Sequence, residues 1–251
     1  MPPTPGRLRE ALMEVVVLVL VLLLFTRAHD AVGADVAVAT DNARVLQSVE
    51  RALHLDVEVA MNRWLAGHAA LITPAVGLYR LYYVVLFAVL LWVLARHGNV
   101  YRHIRRTLVA MVGLALLVYW AIPMSPPRFA LTGIVDIITE HDLGGGAAFR
   151  EANLYSAMPS LHVAWSALAA YAAWCALRAA HPRAAWSAWV FPAAMVLDVL
   201  ATGAHYTLDV GGSAVLLVTS IAAALGWGRL VERHGVRAGR PHLTGRGVPE
   251  R

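Results

Sequence analysis

The chain has 251 residues, of which 59% are hydrophobic and only 15% charged, and its mean hydropathy is +0.60. This composition is too apolar for an ordinary water-soluble domain and is typical of a protein that crosses a membrane several times. The net charge of +5 does not indicate nucleic acid as a partner, because the basic residues lie between apolar segments and near the C-terminus, where they set membrane orientation.

A transmembrane helix needs about 20 mainly apolar residues. Six stretches qualify, namely residues 11–27, 70–95, 107–123, 161–179, 184–203 and 211–230. The first follows Arg7 and Arg9 and could be a signal peptide, but no small-residue cleavage site closes it cleanly, so we interpret it as a retained span. We predict an all-α polytopic membrane protein with a six-helix transmembrane bundle.

Two segments outside the spans have a distinct composition. Residues 43–67 place apolar side chains such as Val49 and Trp64 against polar ones such as Arg51 at helical spacing, which predicts an amphipathic helix at the membrane surface. Residues 232–251 are rich in Arg, Gly and Pro and predict a disordered tail. The chain is thus divided into an N-terminal part (residues 1–69), a catalytic membrane core (70–231) and the tail (232–251).

The distribution of arginine predicts the orientation in the membrane. With six spans, fourteen arginines fall on the side of the two termini and six on the other, with Arg80 inside a span. Because positive charge is retained on the cytoplasmic side, both termini are expected in the cytoplasm of a multi-pass plasma-membrane protein.

Two histidines stand at the mouths of apolar segments, where an ionisable group is by default a functional hypothesis. His162 opens the fourth predicted span, while His205 and Asp209 lie between the fifth and the sixth. Arg128 follows the third span, so that all four residues are expected on the extracytoplasmic side.

The spacing of these residues indicates their chemistry. His205 and Asp209 are four residues apart, so on a helix the carboxylate can fix one imidazole nitrogen and leave the other as a nucleophile or base. His162 is the natural second imidazole, able to protonate a leaving oxygen. Arg128 suits phosphate oxygens, and Ser160 lies at a helix start whose amides favour an anion. The set predicts phosphoryl transfer through a phosphohistidine.

Two of these motifs resemble a known family. Pro-Ser-Leu-His at 159–162 and His-Tyr-Thr-Leu-Asp at 205–209 are similar to the second and third motifs of the type 2 phosphatidic acid phosphatase superfamily. Together with residues 122–128, they resemble its sphingolipid synthase branch, the inositol phosphorylceramide and sphingomyelin synthases. The similarity extends over residues 50–230 and includes Tyr82 and Tyr83.

The resemblance implies a six-span bundle and catalysis without a metal or another cofactor. It also implies His205 as the nucleophile, Asp209 as its partner, His162 as the general acid and Arg128 as a phosphate ligand. The expected substrate is a phospholipid or a lipid phosphate within the membrane.

The sequence departs from the phosphatase pattern at two cationic positions. Ala121 stands where the phosphatases carry lysine, and Asp198 and Val199 stand where they carry Ser-Arg. Fewer cations favour a singly charged phosphodiester over a doubly charged monoester. Asp198 could bind an acceptor hydroxyl or be a buried carboxylate paired with Arg80 or a hydroxyl, and Tyr206 could support the same region.

The predicted function is a membrane lipid phosphotransferase or phosphatase that passes a phospho-head group to a lipid hydroxyl or to water. The alternatives are a lipid phosphate or polyprenyl (pyro)phosphate phosphatase, a metal-dependent membrane enzyme and an inactive scaffold. Gly144–Gly146 could cradle a phosphate or serve as a lid or plain linker. The lipid donor, the acceptor and the oligomeric state are left open by the pattern.

Overall fold

A computed structural model of the chain describes residues 5–31, 35–141 and 154–238. Within these ranges the chain is helical and forms no strand, which confirms the predicted all-α class. The helices are α1 (Pro5–Asp30), α2 (Val36–Ala52), α3 (Glu58–Ala66), α4 (Ala69–Arg96), α5 (Gly98–Ala121), α6 (Pro127–Ala130), α7 (Ile137–Glu140), α8 (Leu161–Leu177), α9 (Pro182–Ser187), α10 (Val190–Ala201) and α11 (Thr207–Ala238).

Several of these helices can cross a membrane. In the described part of the chain, five segments are long and apolar enough: Ala11–Asp30, Ala69–Arg96, Gly98–Ala121, Pro182–Ala201 and Thr207–Arg233. The protein is therefore a multi-pass membrane protein, as its composition predicts. The remaining predicted span corresponds to α8, which is apolar but has only 17 residues. It covers about 26 Å, slightly less than a hydrocarbon core of about 30 Å.

The structure differs from the predictions in two other places. The single helix expected over residues 43–67 is two helices, α2 and α3, because the chain bends between them, where His54 has a φ of 56°. That left-handed conformation cannot continue an α-helix. At the other end, α11 extends to Ala238 and so includes the start of the predicted tail. Residues 239–251 lie outside the described part of the chain.

Helix α8 forms the centre of the bundle. It packs against α4, α5, α10 and α11, and most of its side chains are buried, including Trp165 and Leu168. Helix α1 packs against α4 and α5, where Glu14 accepts a hydrogen bond from Arg105. At the opposite end of α1, His29 Nε2 lies 2.7 Å from Ser156 Oγ, just before α8. The first predicted span is thus an integral part of the packed bundle.

Candidate active site

His205 is oriented by two contacts at the same ring nitrogen. Its Nδ1 lies 2.8 Å from the carbonyl oxygen of Ala157 and 3.3 Å from Oδ2 of Asp209. A carbonyl oxygen can only accept a hydrogen bond, so Nδ1 carries the proton in this contact. The neutral ring therefore presents an unprotonated Nε2, which is the form required of a nucleophile or a base.

Asp209 is held in the first turn of α11. Its Oδ2 also accepts the backbone N–H of Tyr206 at 2.9 Å, so a carboxylate inside the helix satisfies an amide at the helix start. The Asp209 side chain is fully buried. The i,i+4 spacing that suggested the pair thus corresponds to a contact in the structure.

His162 faces His205 from the first turn of α8. Its Nδ1 lies 3.3 Å from His205 Nε2, and both side chains are buried. Because His205 Nε2 is the unprotonated nitrogen, His162 Nδ1 is the donor in this contact. The two rings thus meet at the nitrogen proposed to react, and a phosphorus atom can reach that nitrogen only when the rings separate.

Two tyrosines of α4 enclose the His162 ring. The ring centroid of Tyr79 lies 4.1 Å from that of His162 in a stacked arrangement, and that of Tyr82 lies 4.2 Å away in a tilted one. Tyr79 and Tyr82 are three residues apart and so share a face of α4. Tyr79 lies ten residues after Ala69, the first residue of α4. His162 is therefore about 15 Å from that end of α4 along the helix axis.

Arg128 reaches the same region through its backbone. Its N–H donates to the carbonyl of Gly203 at 3.0 Å, which joins α6 to the loop that carries His205. Its buried guanidinium Nε lies 3.6 Å from Oδ1 of Asp136. Gly203 has a φ of 70°, and a Cβ there would lie 2.6 Å from the side chain of Ile134, so only glycine fits this junction.

Ser160 and its neighbours fix the start of α8. The Ser160 hydroxyl accepts the Val163 N–H at 3.4 Å and is the N-cap of the helix. The carbonyl of Ser160 accepts the hydroxyl of Ser213 from α11 at 2.8 Å, and that of Pro159 accepts the hydroxyl of Tyr119 from α5 at 2.7 Å. Helices α5 and α11 therefore position the turn that presents His162.

Comparison with known proteins now identifies the family. Residues 44–223, most of the chain, match the model of the PAP2 superfamily. The chain belongs to the PAP2 superfamily. A search of curated proteins gave no match, and neither did a search of solved structures. PAP2 membership suggests a phosphatase or phosphotransferase of lipid phosphates and a lipid substrate in the membrane.

The other two residues that the sequence selected in this PAP2 chain are also buried. Tyr206 is fully buried among Ala43, Met124 and Ala157, and its hydroxyl has no hydrogen-bond partner among the described residues. Asp198 is 5% exposed, and its Oδ2 likewise has no partner in the described part of the chain. Gly144–Gly146 lie outside the described residues.

Sequence reasoning did not select several residues that shape this PAP2 site. They are the Ala157 carbonyl, Tyr79 and two residues of the α2–α3 region, Glu50 and Asn62. Asn62 is fully buried, and its amide donates to the carbonyls of Val135 and Ala201, at 3.0 Å each. The sequence offered one signal for Glu50 and Asn62. These polar residues share a face of α2 and α3 with small apolar residues.

The α2–α3 region also brings two buried carboxyl groups close to the site. Glu50 and Glu58 are fully buried. Burial, followed by the charges of Glu58, Asp209 and Asp56, raises the pKa of Glu50 to about 7, although the Leu208 N–H opposes the shift. Burial likewise raises the pKa of Glu58. Both carboxyls therefore keep their protons to a higher pH than an exposed glutamate does.

Proposed function

We propose that this protein is a membrane lipid phosphotransferase or phosphatase that works through a phosphohistidine on His205. The observation that carries the proposal is the Ala157 carbonyl at His205 Nδ1, together with Asp209 at the same nitrogen. These contacts hold the ring in the tautomer whose Nε2 is nucleophilic, and that nitrogen faces His162.

The proposed reaction has two steps that share this geometry. In the first, His205 Nε2 forms a bond to phosphorus while the bond to the leaving alcohol oxygen breaks, and His162 supplies the proton to that oxygen. In the second, a lipid hydroxyl or water attacks phosphorus, His162 takes its proton, and the bond to Nε2 breaks. Asp209 offsets the positive charge on the phosphorylated imidazole.

The phosphate ligands favour a singly charged diester. In this proposal Arg128 exchanges its contact with Asp136 for phosphate oxygens, and the Ser160 hydroxyl and the α8 amides add donors. Ala121 and Val199 are neutral at positions where the phosphatases that the chain resembles carry cations. A head-group transferase of the sphingolipid synthase type is therefore favoured over a lipid phosphate or polyprenyl (pyro)phosphate phosphatase.

The length of α8 supports a site just inside the outer membrane boundary. If the end of α8 at Leu177 lies at the cytoplasmic boundary of the hydrocarbon core, His162 lies about 22 Å away along the helix and so about 7 Å inside the opposite boundary. The phosphate of a phospholipid lies just outside this boundary, so in this proposal the head group enters the bundle from the head-group region to reach His205. We propose that this end faces the extracytoplasmic side of the plasma membrane, because the arginine bias predicts cytoplasmic termini.

Helix α2 fits a position on the membrane surface in this arrangement. One of its faces packs on the bundle through Ala39, Ala43 and Glu50. A second face exposes Val38, Val45 and Val49, whose side chains form one stripe along the helix. Exposed valines beside arginines suit the boundary between lipid and water.

The intact mass of the protein after incubation with lipid tests the proposal. We expect His162→Ala to accumulate a covalent adduct, because it lacks the group that deprotonates the incoming hydroxyl. Phosphatidylinositol and phosphatidic acid are supplied separately in mixed micelles with a chelator, and the reaction is quenched in alkaline denaturant to preserve the phosphoramidate.

The mass increment distinguishes the candidate functions. An inositol phosphate increment from phosphatidylinositol, absent in His205→Ala, supports a transferase, whereas a bare phosphoryl increment from phosphatidic acid supports a monoester phosphatase. Turnover that stops with the chelator favours the metal-dependent alternative. Turnover by wild-type protein with no adduct in either form of the enzyme would refute the phosphohistidine.

A further inference from the structure

Helix α2 and the bend after it form hydrogen bonds to the first turn of α11. Oε1 of Glu50 accepts the backbone N–H of Leu208 at 2.6 Å, and Glu50 is fully buried. Next to it, the hydroxyl of Thr207 donates to the carbonyl of Leu55 at 2.8 Å, in the bend after α2. Two contacts from the α2 region thus fix a turn that is more than 150 residues away in sequence.

This turn carries the reacting groups. The first amides of a helix have no partner inside the helix and must be satisfied from elsewhere. Here Asp209 accepts the N–H of Tyr206 and Glu50 accepts that of Leu208, so each of two carboxylates holds one amide. The position of Asp209, and with it that of the His205 ring, therefore depends on the position of Glu50.

We propose that Glu50 is a positioning residue for the catalytic pair of His205 and Asp209. This inference rests on the proposed function, because the geometry that Glu50 maintains is that of the nucleophilic nitrogen. Glu50 acts through the α11 turn and does not itself touch the reacting atoms.

The charge of Glu50 has a second consequence for the same pair. The groups that face Glu50 are Glu58 from α3, Asp56 from the bend, and Asp209 and Tyr206 from the α11 region. Among the described residues, Arg51 acts on the neighbouring Glu58, but the charged groups that act on Glu50 itself are acidic, so a deprotonated Glu50 adds to a negative field around Asp209. Such a field stabilises the positive charge that the His205 ring gains on phosphorylation.

Three variants separate positioning from general stability. Glu50→Ala removes both the acceptor and the charge, and Glu50→Gln retains an acceptor for Leu208. Gln47→Ala is the matched control, because Gln47 is a buried polar residue on the same face of α2, one turn earlier. Each is assayed for kcat and KM with phosphatidylinositol and with phosphatidic acid in mixed micelles, for Tm and for the fraction that forms the adduct.

We expect kcat to fall by about 10- to 100-fold in Glu50→Ala with little change in KM, which is the effect of losing one charge-assisted hydrogen bond. Glu50→Gln should recover most of this loss. Above about pH 7, where Glu50 is ionised, the negative field should raise the kcat of the wild-type protein, and Glu50→Gln should lack this rise. Gln47→Ala should leave kcat and the pH profile unchanged.

A Glu50→Ala enzyme with the kcat of Gln47→Ala would overturn the inference. So would a loss confined to Tm and to the active fraction, which indicates a structural role. If Glu50→Ala does not fold, Glu50→Gln decides, since a pH profile identical to wild type contradicts the proposal.

The failure of the proposed function has a different signature. In that case the wild-type protein turns over phosphatidylinositol or phosphatidic acid without forming an adduct, or it turns over neither of these two lipids. The reactivity of His205 towards diethylpyrocarbonate, located by peptide mass mapping, then still compares Glu50→Ala with Gln47→Ala. Equal reactivity would overturn the positioning role by itself.

Discussion

The two histidines of the site are held in different ways. His205 is fixed through one nitrogen by a carbonyl and a carboxylate, whereas His162 lies against the rings of Tyr79 and Tyr82. Polar contacts at Nδ1 select one tautomer of His205. Ring packing fixes the plane of His162 through contacts that exist in both of its protonation states.

This difference matches the roles proposed for the two rings. A nucleophile must keep the same nitrogen unprotonated in every cycle, so a fixed tautomer is an advantage. A general acid must lose and regain a proton in each cycle, so packing that is insensitive to the proton suits it better. Four predictions test this comparison.

The largest effect is expected from exchanging each histidine for glutamine. His205→Gln should abolish both adduct and turnover, a loss of at least about 10⁴-fold, because no nucleophile remains. His162→Gln should slow turnover by about 10²- to 10⁴-fold and leave an adduct on His205. Single-turnover mass spectrometry measures both. An adduct that survives in His205→Gln would reverse the assigned roles.

Asp209→Asn tests what fixes the tautomer of His205. The Ala157 carbonyl still accepts the Nδ1 proton in this variant, so we expect kcat to fall by about 100-fold, less than the roughly 10⁴-fold loss in a triad where the carboxylate alone selects the tautomer. Ser220→Ala is the control, because it removes a buried hydroxyl of α11 that donates to the backbone of its own helix, at Leu216. A loss as large as that of His205→Gln would show that the carbonyl contact contributes little.

Tyr79→Leu tests the packing of His162. Removing a stacked ring should lower kcat by about 3- to 10-fold, in line with the roughly 0.5–1.5 kcal/mol that such a pair contributes. Tyr79→Phe retains the ring and should retain most of the activity. Steady-state assays at matched expression provide the measurement, and equal losses in both variants would assign the effect to the hydroxyl.

The smallest effect concerns stability and pH. The pKa of Glu50 is about 7 in the folded protein, above its ordinary value of 4.5, so between these pH values the folded state binds more protons than the unfolded state. The free energy of unfolding therefore falls as pH rises through this interval. Glu50→Gln removes this contribution and should narrow the Tm difference between pH 5 and pH 8 by a few degrees.

The control for that measurement is Glu140→Gln, which changes an exposed carboxyl. It should leave the Tm difference as in wild type. Glu58 contributes a dependence of the same sign, because its pKa is also raised. An unchanged Tm difference in Glu50→Gln would mean that Glu50 does not titrate in this interval.

Local sequence patterns predicted much of the architecture. Runs of apolar residues located the membrane helices, because the thickness of the bilayer requires a minimum length whatever the fold. The four-residue spacing of His205 and Asp209 predicted their contact, because the helical repeat places such residues on one face. The same argument failed where it was used across residues 43–67, since a single left-handed residue, His54, divides the helix.

The rest depended on contacts between segments that are distant along the chain. The Ala157 carbonyl reaches His205 across 48 residues, and Glu50 reaches Leu208 across 158. No local pattern encodes either contact, because a backbone carbonyl has no sequence signature and a glutamate on an amphipathic helix is ordinarily exposed. The sequence by itself determined which segments are long and apolar enough to cross a membrane, and it supplied the candidate site residues. Only the tertiary structure decided which nitrogen of His205 holds the proton, because that depends on the acceptor that packing brings to the ring.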